Sequence, residues 1–180
     1  MKLLPVFFIL LSTLWLSGCS NLTSLLFYPQ SQYLRTPTDL ELEYEQVEIK
    51  AEDGTELVSW FLPGQEPLFQ RSQLQAFQSA QVPHTARVPH TAQQQPPIVL
   101  FLHGNAENIS THIGSVYWLP EQGVDVFLLD YRGFGHSKGS PFIPAVFQDV
   151  EASLIWLRQR FPERRVYILG QSIGAAIATT

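Results

Sequence analysis

The order of elements written in this sequence predicts an α/β fold, a mostly parallel sheet entered through an antiparallel hairpin. Three observations predict it. Ile98–Leu102 is an unbroken apolar run of strand length and Val124–Leu129 is one interrupted only by Asp125, the composition of strands covered on both faces. Helix-compatible stretches follow each run, Ile109 to Gln122 and Phe142 to Arg160. Finally, Val166-Tyr-Ile-Leu runs into Gly170-Gln171-Ser172-Ile173-Gly174 and then into small residues, a strand–turn–helix passage. The resulting order β-β-β-α-β-α-β-α belongs to the α/β class.

The chain starts with Met1-Lys2 and an almost wholly apolar stretch from Leu3 to Leu16. That stretch is short of the ~20 residues a bilayer span takes and suits the apolar region of a secretory signal. Leu16-Ser17-Gly18-Cys19 resembles the end of a bacterial lipoprotein signal, in which the cysteine is lipidated and becomes the first mature residue. Removal of residues 1–18 would take one lysine and move the formal charge from −5 to −6. Cys19 is the single cysteine, so no internal disulfide can form. Several acyl chains on it would hold the protein to a membrane, where one chain binds only marginally. Ser20 in place of Asp would favour the outer membrane in that resemblance. An uncleaved signal anchor is the alternative. Residues 19–43, with turn signals at Tyr28-Pro29 and Thr36-Pro37, read as a tether and lead-in lying over the domain.

Residues 44–180 then read as the domain proper. Tyr44 to Lys50 alternates, Asp53-Gly54 supplies a turn, and Thr55 to Leu62 is β-branched and aromatic, which makes the hairpin. The acids crowded between Asp39 and Glu56 read as its solvated edge. An insert at about 64–96 is rich in Gln, Ser and Pro and repeats Val-Pro-His-Thr-Ala. Two such copies cannot make a solenoid. Its His84 and His90 have no cysteine or acid nearby, so a surface loop is expected and no metal site. Along the helix to Arg160, Val146, Val150, Leu154 and Leu157 share one stripe.

Asp130-Tyr-Arg-Gly-Phe-Gly-His-Ser-Lys-Gly139 lacks both the G-x-G-x-x-G and the G-x-x-x-x-G-K-[ST] spacing, so no dinucleotide or P-loop site is expected. Arg132 is expected to tie down Asp130 or nearby carbonyls in a tight turn, with His136 a loop histidine. No cofactor is implied. The net charge of −5 argues against a nucleic-acid partner, which needs a basic face.

Gly170-Gln171-Ser172-Ile173-Gly174 is G-x-S-x-G in the setting of a nucleophile elbow. A serine on a sharp strand-to-helix turn is strained and lifted above the sheet, and Gly170 and Gly174 remove the side chains that would collide there. With His103-Gly104-Asn105 and Asp130-Tyr-Arg-Gly-Phe-Gly-x-Ser137, these residues resemble the α/β-hydrolase superfamily. The Phe27-Tyr28-Pro29 lead-in and Trp60-Phe61-Leu62-Pro63 are similar to its membrane-associated serine hydrolases and their bacterial relatives. The resemblance implies Ser172 as nucleophile and an oxyanion hole from the backbone amides of Asn105 and Ile173. It also implies that His103 and Gly104 shape the loop without transferring protons. An ester, thioester or amide of a small-molecule or lipid-like acyl group is the implied substrate.

In that family a triad acid and then a histidine follow the serine along the chain. Neither occurs among the eight residues after Ser172. A serine hydroxyl without an adjacent base is a poor nucleophile. The expectation is therefore the N-terminal portion of a serine hydrolase, its fold incomplete after the elbow, inert as residues 1–180 alone and bound to the bacterial cell envelope. Asp130 and His136 precede the serine in a different loop and are poor substitutes. The alternative is a non-catalytic fragment or membrane-anchored binding module. Oligomeric state is left open.

Overall fold

A computed structural model describes residues 22–65 and 95–179. The expected signal (1–18), Cys19, and nearly all of the insert with His84 and His90 lie outside the described residues.

Five strands form one twisted sheet: β2 (Glu45–Lys50), β3 (Glu56–Leu62), β4 (Ile98–Leu102), β6 (Asp125–Leu129) and β7 (Val166–Gly170), with β1 and β5 described below. Their order is β2-β3-β6-β4-β7. The hairpin β2–β3 is antiparallel and joins β6 antiparallel, whereas β4 lies parallel between β6 and β7. Gly54 makes the hairpin turn at φ 84°, a conformation that costs a residue without Cβ little.

The period-2 alternation of β4 and β6 sorts the core into two layers. Ile98, Leu100, Leu102, Phe127 and Leu129 face one side, against the 16-residue helix α2 (Ala145–Arg160) through Val146, Val150 and Leu157. Phe101, Val126 and Leu128 face the other with Trp60, Ile109, Ile113 and Val116. The acids Glu45 and Glu48 are exposed on β2, an edge strand. Glu45 pairs with Arg160 and Glu56 with Lys50, and Asp53 at the hairpin turn is drawn into an ion pair with Arg132.

The stretch 109–122 differs from the single helix expected. It holds a four-residue helix α1 (Ile109–His112) and two short 3₁₀ turns, Ile113–Ser115 and Pro120–Gln122. Gly114, Ser115, Val116 and two aromatics disfavour continued helix, and the Pro120 nitrogen has no hydrogen to give the Val116 carbonyl. Ile109, Ile113 and Val116 still reach the core, so burial of this face survives the broken helix.

The lead-in is also more structured than a tether. Its two-residue strand β1 (Tyr28–Pro29) pairs in parallel with β5 (Ala106–Glu107), and Phe27 is buried edge-on to Phe134. The described ends of the insert are pinned: Gly64 N–H donates to Asp125 (2.6 Å) and Arg164 Nε to the Pro96 carbonyl (2.8 Å).

Arg132 does not tie down Asp130. Its Nε and Nη2 and its backbone N–H bind Asp149 of α2 at 2.7–2.9 Å, and Nη1 binds Asp53 at 2.6 Å. Asp149 faces inward between Val146 and Val150, so its fully buried carboxylate needs a cation, and Arg132 is within reach. Burial pushes the Asp149 carboxyl up and the Arg132 bonds pull against it. For Arg132, burial works against the charge, and the bonds to both carboxylates outweigh it.

Candidate active site

Two parallel strands end level with each other, Leu102 of β4 opposite Gly170 of β7. This register sets the loop His103-Gly104-Asn105 beside the turn Gln171-Ser172. Gln171 N–H donates to the Leu102 carbonyl at 2.9 Å, which ties the turn to the end of β4. Ser172 then takes φ 56° and ψ −121°, left-handed backbone unusual for a side-chain-bearing residue, and α3 (Ile173–Ile177) starts behind it.

The flanking glycines are required by contact with backbone. A Cβ on Gly170 would run into the backbone of Gly174 and Ala175. One on Gly174 would strike the Leu102 carbonyl oxygen and come within 2.6 Å of that of His103. A Cβ on Gly104 would lie 3.2 Å from Cε1 of His112 and 3.8 Å from Cβ of Ser172, so serine and imidazole flank the same backbone step. Gln171 and Ser172 are exposed. Ile173 is the first residue of its helix, where the N–H has no intrahelical acceptor.

Each end of Asn105 is held by the lead-in. Its carbonyl accepts from Tyr28 N–H at 2.7 Å, and its side-chain amide donates to the Leu26 carbonyl at 3.0 Å. His103 is fully buried against Tyr131 and Phe134. Its Nδ1 donates to the Gly104 carbonyl at 2.8 Å, and its Nε2 faces Asp130 Oδ1 at 3.4 Å without a hydrogen bond. Asp130 in turn accepts from Ile109 N–H (2.8 Å) and Tyr33 O–H (2.9 Å). Burial and the adjacent carboxylate push the Tyr33 phenol far above its ordinary range. His136 is exposed and stacks on Tyr33 with ring centroids 4.2 Å apart.

His112 is the site residue that sequence reasoning missed. Its Nδ1 meets Gln171 Oε1 at 3.1 Å and its Nε2 meets the Ala106 carbonyl at 3.0 Å, so one ring links the loop after β4 to the turn before Ser172. Ser115 O–H donates to the same Gln171 oxygen at 3.2 Å. No motif marks His112, because its partner lies 59 residues away. Among the described residues, no three His, Cys, Asp or Glu side chains gather as a metal site.

This arrangement sets an exposed serine on a strained turn beside the loop of Asn105. Comparison with known proteins gives the class to which it belongs. Residues 93–180 match the family described as Serine aminopeptidase, S33. The YfhR protein of Escherichia coli (strain K12) is 36% identical over 134 residues, 73% of this chain and 39% of that protein. The lysophosphatidylserine lipase ABHD12 of Danio rerio is 37% identical over 89 residues, 48% of this chain and 23% of that one. Among solved structures, the Pyrococcus furiosus esterase Pf2001 superposes with a TM-score of 0.60 at 23% identity, covering 85% of this chain and 50% of that one. The chain belongs to the α/β-hydrolase superfamily. It spans about two fifths of the length of the YfhR proteins it matches.

Proposed function

We propose that the chain carries the nucleophile and oxyanion hole of a serine hydrolase acting on an ester, thioester or amide. The observation that supports this reading is the strained Ser172, at φ 56° between two glycines that admit no Cβ, beside the loop of Asn105. In the proposed reaction Ser172 Oγ bonds to the acyl carbon, and the carbonyl π pair moves onto oxygen. The N–H groups of Asn105 and Ile173 receive that charge, an interaction often worth a few kcal/mol of barrier. The hydroxyl proton goes to a base. Within residues 1–180 no histidine or acid follows Ser172, where this family places its triad partners, and these residues by themselves are proposed to be inert. His103 is a loop-shaping residue, its donor spent on the Gly104 carbonyl. Cys19 is assigned as the lipidated anchor in the bacterial envelope, with a small or lipid-like acyl compound as substrate.

Fluorophosphonate labelling tests the reading. Residues 1–180 joined to the C-terminal part of YfhR should label, Ser172→Ala in the same chimaera should not, and residues 1–180 alone should stay unlabelled. Undiminished labelling of Ser172→Ala would remove the nucleophile. Robust labelling of residues 1–180 alone would remove the claim of inertness. A chimaera that folds without labelling would favour the binding-module alternative.

A further inference from the structure

Large apolar side chains stand in water around the candidate site. Leu22, Leu25, Tyr28 and Leu34 of the lead-in are each more than 60% exposed, and Tyr117 and Trp118 nearly half. Both groups are built into the frame of the site. The Leu26 carbonyl and the Tyr28 N–H hold the two ends of Asn105, and Leu34 N–H donates to Ser110 Oγ at 2.9 Å. On the other side Ser115 binds Gln171, the residue before Ser172, and Trp118 Nε1 binds the Ser115 carbonyl at 3.3 Å.

The charge distribution points the same way. Between Lys2 and Arg35 the sequence contains no Asp, Glu, Lys or Arg. The acids Glu45 and Glu48 lie on β2, at the opposite edge of the sheet from β7 and its elbow. Chain length supplies the occupant. The apolar run Leu3–Leu16 ends six residues before Leu22, a reach of at most about 20 Å fully extended. Cys19 is only three residues away. A lead-in tethered so short, apolar and without a charged side chain from Leu22 to Leu34, is held against whatever its anchor enters. Tyr and Trp suit a boundary that is apolar on one side and wet on the other.

We infer that the lead-in and the Tyr117–Trp118 turn form a bilayer-docking face that seats the mouth over Ser172 on the lipid surface. The inference rests on the N-terminal anchor and nucleophile proposed above, and it narrows the substrate to amphiphilic acyl compounds that enter from the membrane side. The face differs from the anchor: it fixes which way the site points, and it requires folded contacts that the anchor does not.

The test places an environment-sensitive fluorophore on the full chain at Leu25→Cys, at Tyr117→Cys or, as control, at Gln46→Cys on β2. Each is made in the mature lipidated chain, where the lipid occupies the Cys19 sulfur and the introduced cysteine is the free thiol. The probe is a vesicle of neutral phosphatidylcholine with brominated acyl chains. Interfacial apolar faces sit about 5–10 Å into the headgroup boundary, so labels at 25 and 117 should shift to the blue and lose emission roughly twofold. The label at 46 should do neither. Vesicle-bound chain whose labels at 25 and 117 stay in water would overturn the docking face and leave the anchor standing. Absence of any vesicle binding would overturn both. A blue shift without vesicles that grows with protein concentration would show a second copy covering the face, and would likewise overturn the inference.

Discussion

Gly174→Ala tests the close approach of helix and strand on which the elbow depends. The new methyl would lie 2.6 Å from the His103 carbonyl oxygen and closer still to that of Leu102. Ordinary contact is about 3.5 Å, so the overlap is near 1 Å. Both obstacles are backbone of the region around β4, an interior strand hydrogen-bonded on either side, and neither can rotate away. The helix must withdraw, which also stretches the 2.9 Å bond from Gln171 N–H to Leu102. Overpacking of this kind costs ~3 kcal/mol at the upper end, against a gain of about 1 kcal/mol for alanine over glycine in a helix. The net expectation is a loss of about 2 kcal/mol. Gly114→Ala is the internal control, since nothing lies within 4 Å of its added Cβ and it keeps the helical gain. Urea denaturation followed by tryptophan fluorescence should separate the two variants by about 1 M or more in midpoint, taking a slope of about 2 kcal/mol/M. A Gly174→Ala midpoint equal to that of Gly114→Ala would refute the argument that this glycine is there for contact.

Three further outcomes are expected. Asp149→Ala leaves the Arg132 guanidinium buried with only the half-exposed Asp53 as partner, a loss of about 3 kcal/mol in denaturation, which Arg132→Met with Asp149→Leu should largely recover. The bond from Arg132 lowers Asp53 from its ordinary range to about 2; a depressed acid stabilises the fold above its unfolded pKa. That contribution is lost as pH falls from near 4 through about 2, and Asp53→Asn should flatten this part of the stability–pH curve, to a degree limited by solvent screening. His112→Ala removes the link between the Ala106 carbonyl and Gln171. Hydrogen exchange should then quicken about tenfold at the hydrogen-bonded amides of Gln171 and Gly174, the worth of one hydrogen bond, with Leu100 and Phe127 unchanged. A uniform rise across the sheet would show that His112 contributes only global stability.

Strands and turn were legible because their signals are local. Alternation or a dense apolar run declares β2, β4, β6 and β7 without knowledge of their neighbours. The elbow was legible because its sterics need glycine at fixed offsets from one serine. The helix expected over 109–122 failed where Gly114 and Pro120 outweighed the apolar spacing. The partners of Arg132 were missed although a clue was present: Asp149 lies between Val146 and Val150 on the apolar stripe, and a carboxylate on a buried face needs a cation. His112 and the lead-in had no such clue. Their roles are set by contacts with residues far along the chain.

Those distant contacts carry a consequence for how the molecule is made. Leu34 is fixed by Ser110, Tyr33 by Asp130 and Thr23 by Ile143, separations of 76, 97 and 120 residues. During synthesis the lead-in therefore has nothing to dock on until most of the sheet has emerged. Contacts so remote in sequence are slow to close. The segment that leaves the ribosome first is thus among the last to find its place, and Asn105, which it holds at both ends, must wait for it.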